Sequence, residues 1–140
     1  MRDYACVAPT FWTRGSGKKL RGDADAQVVA LYLLTCPASS MIGIFHLAIP
    51  TLAHETGLPI DRARAALAHV IDAEIAMYDE EAELVFLPEG ARYQVGPRLK
   101  AGDNRIRGIE RELKAFGDHP FVARFVARYG RDYALYPPSH

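Results

Sequence analysis

The hydrophobic period of this chain changes from helical to strand-like after residue 72, and that change constrains the fold more than any other feature. Ala63, Ala66, Leu67, Val70 and Ile71 fall at i, i+3, i+4, i+7 and i+8, one face of a helix predicted over 61–72. Just after it the spacing becomes that of strands. Ile75-Ala76-Met77-Tyr78 and Leu84-Val85-Phe86-Leu87 are joined by Asp79-Glu80-Glu81-Ala82-Glu83, a hairpin with an acidic tip. A second helix, from Leu47 to Glu55, precedes the first. Pro50 falls in its first turn, where a missing N–H costs little. Between the two helices, Ala53 is small where they cross, Gly57 supplies the positive φ of a turn, and Leu58 drops into the core.

Upstream, Asp23 or Asp25 can cap a helix that Pro37 ends. Val28, Val29, Leu31, Tyr32, Leu33 and Leu34 give it a wide apolar arc, so it is expected at the centre of the core. Met41 to Phe45 reads as a short strand. Tyr4 to Ala8 reads as a strand or extended arm, Phe11-Trp12 as buried aromatics, and Arg14 to Gly22 as a basic Gly-rich loop. Pro88 to Gly102 reads as a connector. Two further helices follow: one capped by Asp103-Asn104 with a seam of Ile106, Ile109, Leu113 and Phe116, the other capped by Asp118 with Phe121, Val122, Phe125, Val126 and Tyr129 inward. The tail after Tyr133 is expected to be loose. The expected class is α+β, mostly α: a winged helix-turn-helix over 1–90 and a two-helix extension over 91–140.

Formal net charge is zero, with 17 basic and 17 acidic residues, which argues against a polycation that coats nucleic acid indiscriminately. The charge is segmented, however: +2 over residues 1–45, −7 over 46–90 and +5 over 91–140. Cys6 and Cys36 form no CxxC and sit in apolar runs, where free Cys behaves as a small hydrophobe. The longest apolar stretch, Val28 to Cys36, is about half the ~20 residues a membrane span needs. A soluble protein of a reducing cytoplasm is expected, with no membrane partner.

Tyr4, Phe11-Trp12, Ala30-Leu31-Tyr32-Leu33-Leu34-Thr35, Ile42-Gly43-Ile44-Phe45, Leu52-Ala53-x-Glu55-Thr56-Gly57-Leu58 and Tyr78-Asp79 occur in that order. This pattern resembles the N-terminal winged-helix domain of DnaD-like replication proteins and phage replisome organisers, over residues 4–90. The resemblance implies a role in loading or organising replication machinery at a DNA origin, often through oligomers, and brings no catalytic residues. Three departures stand out. Pro59 replaces the usual Ser or Thr cap of the third helix. The hairpin tip is acidic rather than mixed or basic. The 140 residues hold no full second domain, so DNA remodelling by this chain alone is not implied.

The third helix would be the recognition helix. Arg62 and His69 lie on one outward line and Arg64 on the next, where they can reach base edges or phosphates, or merely solvate the face. Arg14, Lys18, Lys19 and Arg21 can follow a phosphate backbone of double- or single-stranded DNA, or form a solubilising loop. Gly15-Ser16-Gly17-Lys18 is no phosphate loop, because Trp12 and Lys19 occupy positions that need Gly and Ser/Thr. Arg105 and Arg107, with Arg111 and Lys114, add possible phosphate contacts that Glu110 and Glu112 dilute. Asp79, Glu80, Glu81 and Glu83 repel phosphate and suit a basic replication or transcription partner, or are simply solvated. The acidic middle of one copy can also meet the basic end of another, giving self-association. His54-Glu55 lacks the second His of HExxH, no other His has ligand spacing, and no Ser has a nearby base. No enzyme activity, cofactor or metal is expected.

Overall fold

The computed structural model describes residues 2–136. A 3-10 turn at Pro9–Trp12 leads to α1 (Gly15–Lys18), α2 (Ala24–Thr35), β1 (Ile44–His46), α3 (Ile49–Thr56) and α4 (Ile60–Asp72). Then come β2 (Met77–Asp79), β3 (Leu84–Phe86), α5 (Gly90–Gln94), α6 (Arg105–Ala115) and α7 (Pro120–Tyr129). The class is α+β. Among the described residues no helix is long and apolar enough to cross a membrane.

Local chemistry explains most boundaries. The Asp23 carboxylate accepts from the Ala26 N–H at 3.0 Å and starts α2. Gly57 ends α3 with φ of 77°, a conformation costly for residues with a Cβ, and its N–H donates to the Ala53 carbonyl. Pro59 precedes α4 and offers no side-chain cap. The α4 residues Ala63, Ala66, Leu67 and Val70 are buried, and the small alanines let α2 and α3 pack closely against it.

The sheet is antiparallel, in the order β1-β3-β2. Ile44 and Met77 both oppose Phe86, while Phe45 and Tyr78 both oppose Val85. Directly opposed residues share a face and successive residues alternate. Phe45, Val85 and Tyr78 therefore join the core of α2, α3 and α4. Ile44, Leu84, Phe86 and Met77 face the other way, onto Ile106, Ile109 and Leu113 of α6 and Phe121, Phe125 and Tyr129 of α7. Helices thus cover both faces of one small sheet. That is why all three residues of β3 are buried and its sequence does not alternate.

A polar clasp joins the layers at the hairpin. Asp79 ends β2 on the α7 side. The Phe121 N–H donates to His119 Nδ1 at 3.0 Å, which places the proton on Nε2, and Nε2 donates to Asp79 at 2.7 Å. The imidazole thereby caps α7 and grips β2 together.

Several expectations change. Tyr4 to Ala8 forms no strand; it is an arm pinned at Cys6 by both ends of the Gln94 amide. Trp12 is 50% exposed, because its neighbour Phe11 takes the inward position. Residues 14–22 include α1, and the connector includes α5. The strand expected over 41–45 is shifted to Ile44–His46 by the turn at Gly43. Val28 and Ile71 lie at the edges of their helix arcs and remain exposed. Cys36 is buried, but Cys6 is exposed. His119, not Asp118, caps α7: Pro120 at the first helical position makes the residue before it the cap. Nor is the chain loose directly after Tyr133. Tyr133 is fully buried, stacked on Tyr129 with its hydroxyl on the Gly96 carbonyl, and Leu135 is buried beside it. The rest of that tail, 137–140, lies outside the described residues.

Candidate nucleic-acid interface

Helix periodicity sets what α4 presents outward. Opposite its buried line, the centre of the exposed face is Asp61, Ala65, Ala68 and Asp72. The expected contact residues flank this strip, and each is held by a carboxylate from another element. Arg62 donates from Nε and Nη2 to Asp25 at 2.8 and 2.7 Å, a two-point grip from the first turn of α2. Arg64, on the other flank, donates to Glu80 of the hairpin at 2.7 Å. His69 Nδ1 lies 2.7 Å from Asp23. All three pairs are substantially exposed, so they are exchangeable contacts rather than locks.

The His69 contact also sets the titration of both its partners. Its imidazole pKa is raised above the ordinary 6.5, first by the Asp23 hydrogen bond, with the Lys19 backbone also contributing. Asp23 is correspondingly held below 3.8, chiefly by His69. The signs define a window. Asp23 stabilises the fold above about 3.8 and loses that contribution as pH falls through its lowered value. His69 contributes fully below about 6.5 and loses it as pH rises through its raised value. An NMR titration of the His69 ring should therefore give a midpoint above 6.5, and Asp23→Asn should lower it. A wild-type midpoint at or below that value would break the assignment.

Close packing places the loop. A Cβ on Gly17 would sit 1.9 Å from the Phe11 carbonyl oxygen, so only glycine lets α1 lie on the preceding turn. Arg14, Lys18, Lys19 and Arg21 are exposed and have no carboxylate partner among the described residues. Arg21 donates to the Trp12 carbonyl at 3.0 Å. The Lys19 backbone, near enough to His69 to help raise its pKa, brings that part of the loop toward α4.

The acidic hairpin tip is divided. Asp79 is taken by His119 and Glu80 by Arg64, leaving Glu81 and Glu83 exposed and unpaired among the described residues. Arg105, expected on DNA, instead folds back onto Asp103 and the Val95 carbonyl. Arg107 remains exposed on α6 without an ion-pair partner among the described residues. His46 and His54 are exposed. Among the described residues no three His, Cys, Asp or Glu side chains converge as a metal site would need. Spacing could not reveal the carboxylate partners of Arg62 and Arg64, because they come from elements distant in sequence. No family model, curated protein or solved structure matches this chain.

Proposed function

We propose that this chain is a winged-helix DNA-binding module of the DnaD-like, replication-organising kind. The observation that carries the reading is topological. The order α2, β1, α3, α4, β2, β3, with the sheet ordered β1-β3-β2, leaves α4 open to solvent beside a hairpin. The Gly57 turn between α3 and α4 supports it, and so do the four loop cations that have no carboxylate partner among the described residues. In this reading α4 lies against duplex DNA. Arg14, Lys18, Lys19 and Arg21 take phosphates first, and Arg62 and Arg64 exchange their carboxylates for phosphates on contact.

The test is fluorescence anisotropy of a labelled duplex across a salt series. With four to six phosphates neutralised, log K should fall with log salt at a slope of about −4 to −5. Changing the four loop cations together to Glu should reduce the slope by about 0.9 per lost contact and abolish binding at physiological salt. No binding by the wild type at micromolar protein and low salt would end the reading.

One observation favours a second reading, a docking module for a basic protein. The centre of the α4 face is Asp61-x-x-x-Ala65-x-x-Ala68-x-x-x-Asp72, acidic at both ends and small between, with Glu81 and Glu83 free at the neighbouring hairpin. Under that reading Asp61→Lys with Asp72→Lys abolishes partner binding. Under the DNA reading the same change strengthens duplex binding.

A further inference from the structure

The α6 helix differs in the fold from what its sequence suggests. Two glutamates interrupt its cations in sequence; Glu110 stays at the surface beside them, whereas Glu112 is drawn toward the interior. Glu110 turns toward the tail and accepts the Tyr136 N–H at 2.9 Å. Glu112 is half-buried, one of its carboxylate oxygens is enclosed without a partner among the described residues, and burial pushes its pKa up. With Ile106, Ile109 and Leu113 inward, the outer line is Arg107, Arg111 and Lys114, at i, i+4 and i+7. None of the three has an ion-pair partner among the described residues.

Beside this line runs a groove of about 540 Å³ between α6 and the start of α7. Arg111 and Lys114 border it together with the single carboxylate of Glu110, Leu113 and Val122 contribute to its lining, and Tyr136 lies in it. Tyr136 is 53% exposed, yet its backbone is fastened to Glu110. A solvent-facing aromatic next to unpaired cations is what single-stranded nucleic acid uses: phosphates follow the charge and a base stacks on the ring. Duplex DNA has no unstacked base to offer such a ring.

We infer that the α6–α7 groove binds a single-stranded nucleic-acid segment, with Arg107, Arg111 and Lys114 on its phosphates and Tyr136 under a base. The site lies in the helical layer on the opposite side of the sheet from α4. It does not depend on α4 touching a duplex.

The experiment uses the full chain and a labelled 20-nucleotide oligothymidine, read by anisotropy at several salt concentrations. Arg107→Glu, Arg111→Glu and Lys114→Glu together should weaken binding at least tenfold and flatten the salt slope by about 2, near 0.7 per phosphate on a single strand. Tyr136→Ala should weaken it about 5- to 150-fold, and Tyr136→Phe should keep the wild-type affinity. All of these side chains are exposed, so circular dichroism should show the fold intact. Duplex binding by the same variants, and oligothymidine binding by the loop variant, separate this site from the one proposed on α4. Wild-type protein that ignores oligothymidine overturns the inference. So does an unaffected Tyr136→Ala, which would reduce the face to nonspecific charge. So does a triple variant that loses only self-association in sedimentation, which would assign the stripe to the acidic face of a second copy.

Discussion

Phe125→Ala should lower stability by about 3–5 kcal/mol, and the loss should appear as one transition of the whole chain. Phe125 is fully buried, 4.7 Å from the Tyr129 ring and 6.3 Å from Tyr133. These rings belong to the layer that covers Ile44, Leu84 and Phe86 on the sheet. A cavity there weakens support for β1 and β3. The opposite faces of the same strands carry Phe45 and Val85 into the α2–α4 core. Calorimetry beside spectroscopic probes would read the coupling, since Trp12 lies in the first half and Tyr129 of α7, with Tyr133 just beyond it, in the second. At about 3–5 °C per kcal/mol for a chain of this size, the midpoint should drop about 10–20 °C. Two separate transitions, with the Trp12 signal unmoved, would mean that the layers fold independently. The same packing predicts that residues 1–90 alone expose one apolar face of the sheet.

The parts of this fold that were legible in the sequence are those in which a residue answers to its neighbours. Asp23 caps the helix that begins at the next residue by accepting an N–H three residues on, Gly57 closes one, and the alanines and leucine of α4 repeat at helical spacing. The strands of the hairpin follow from short apolar runs on either side of an acidic turn, and the seam of α6 from helical periodicity. Short helices with no apolar repeat, Gly15–Lys18 and Gly90–Gln94, gave no such signal. The candidate site was less legible, because charge in sequence is not charge on a surface. Arg62 and Arg64 look like free contacts until Asp25, 37 residues away, and Glu80, 16 residues away, arrive beside them. Glu110 and Glu112 look alike in sequence until packing encloses a carboxylate oxygen of Glu112 and sets Glu110 on the Tyr136 N–H. Asp79 looks like part of an acidic tip, yet it points along the sheet face that meets His119. In each case the decisive partner lies on a different element, where spacing carries no information.

Asp25→Asn combined with Glu80→Gln should strengthen duplex binding. This is the sharpest consequence of the pairing on α4. Wild-type Arg62 and Arg64 enter any encounter with DNA already neutralised, so phosphate must displace a carboxylate that it then leaves nearby. Removing both carboxylates leaves the two guanidiniums with only water to exchange. It also removes repulsion from the flanks of the face, since formal net charge moves from zero to +2. If each freed arginine adds one phosphate contact, the salt slope should steepen by about 0.9 per contact, and affinity at low salt should rise about tenfold for each. The folded state should tolerate the change, because exposed pairs of this kind contribute little to stability. Arg62→Glu with Arg64→Glu is the matching loss, and its effect on the wild-type background should be smaller than that of reversing the four loop cations, which are unpaired from the start. A duplex affinity unchanged by Asp25→Asn with Glu80→Gln would mean that α4 does not face DNA. The outward strip of Asp61, Ala65, Ala68 and Asp72 would then belong to a basic protein, and the search for that partner would start from this face.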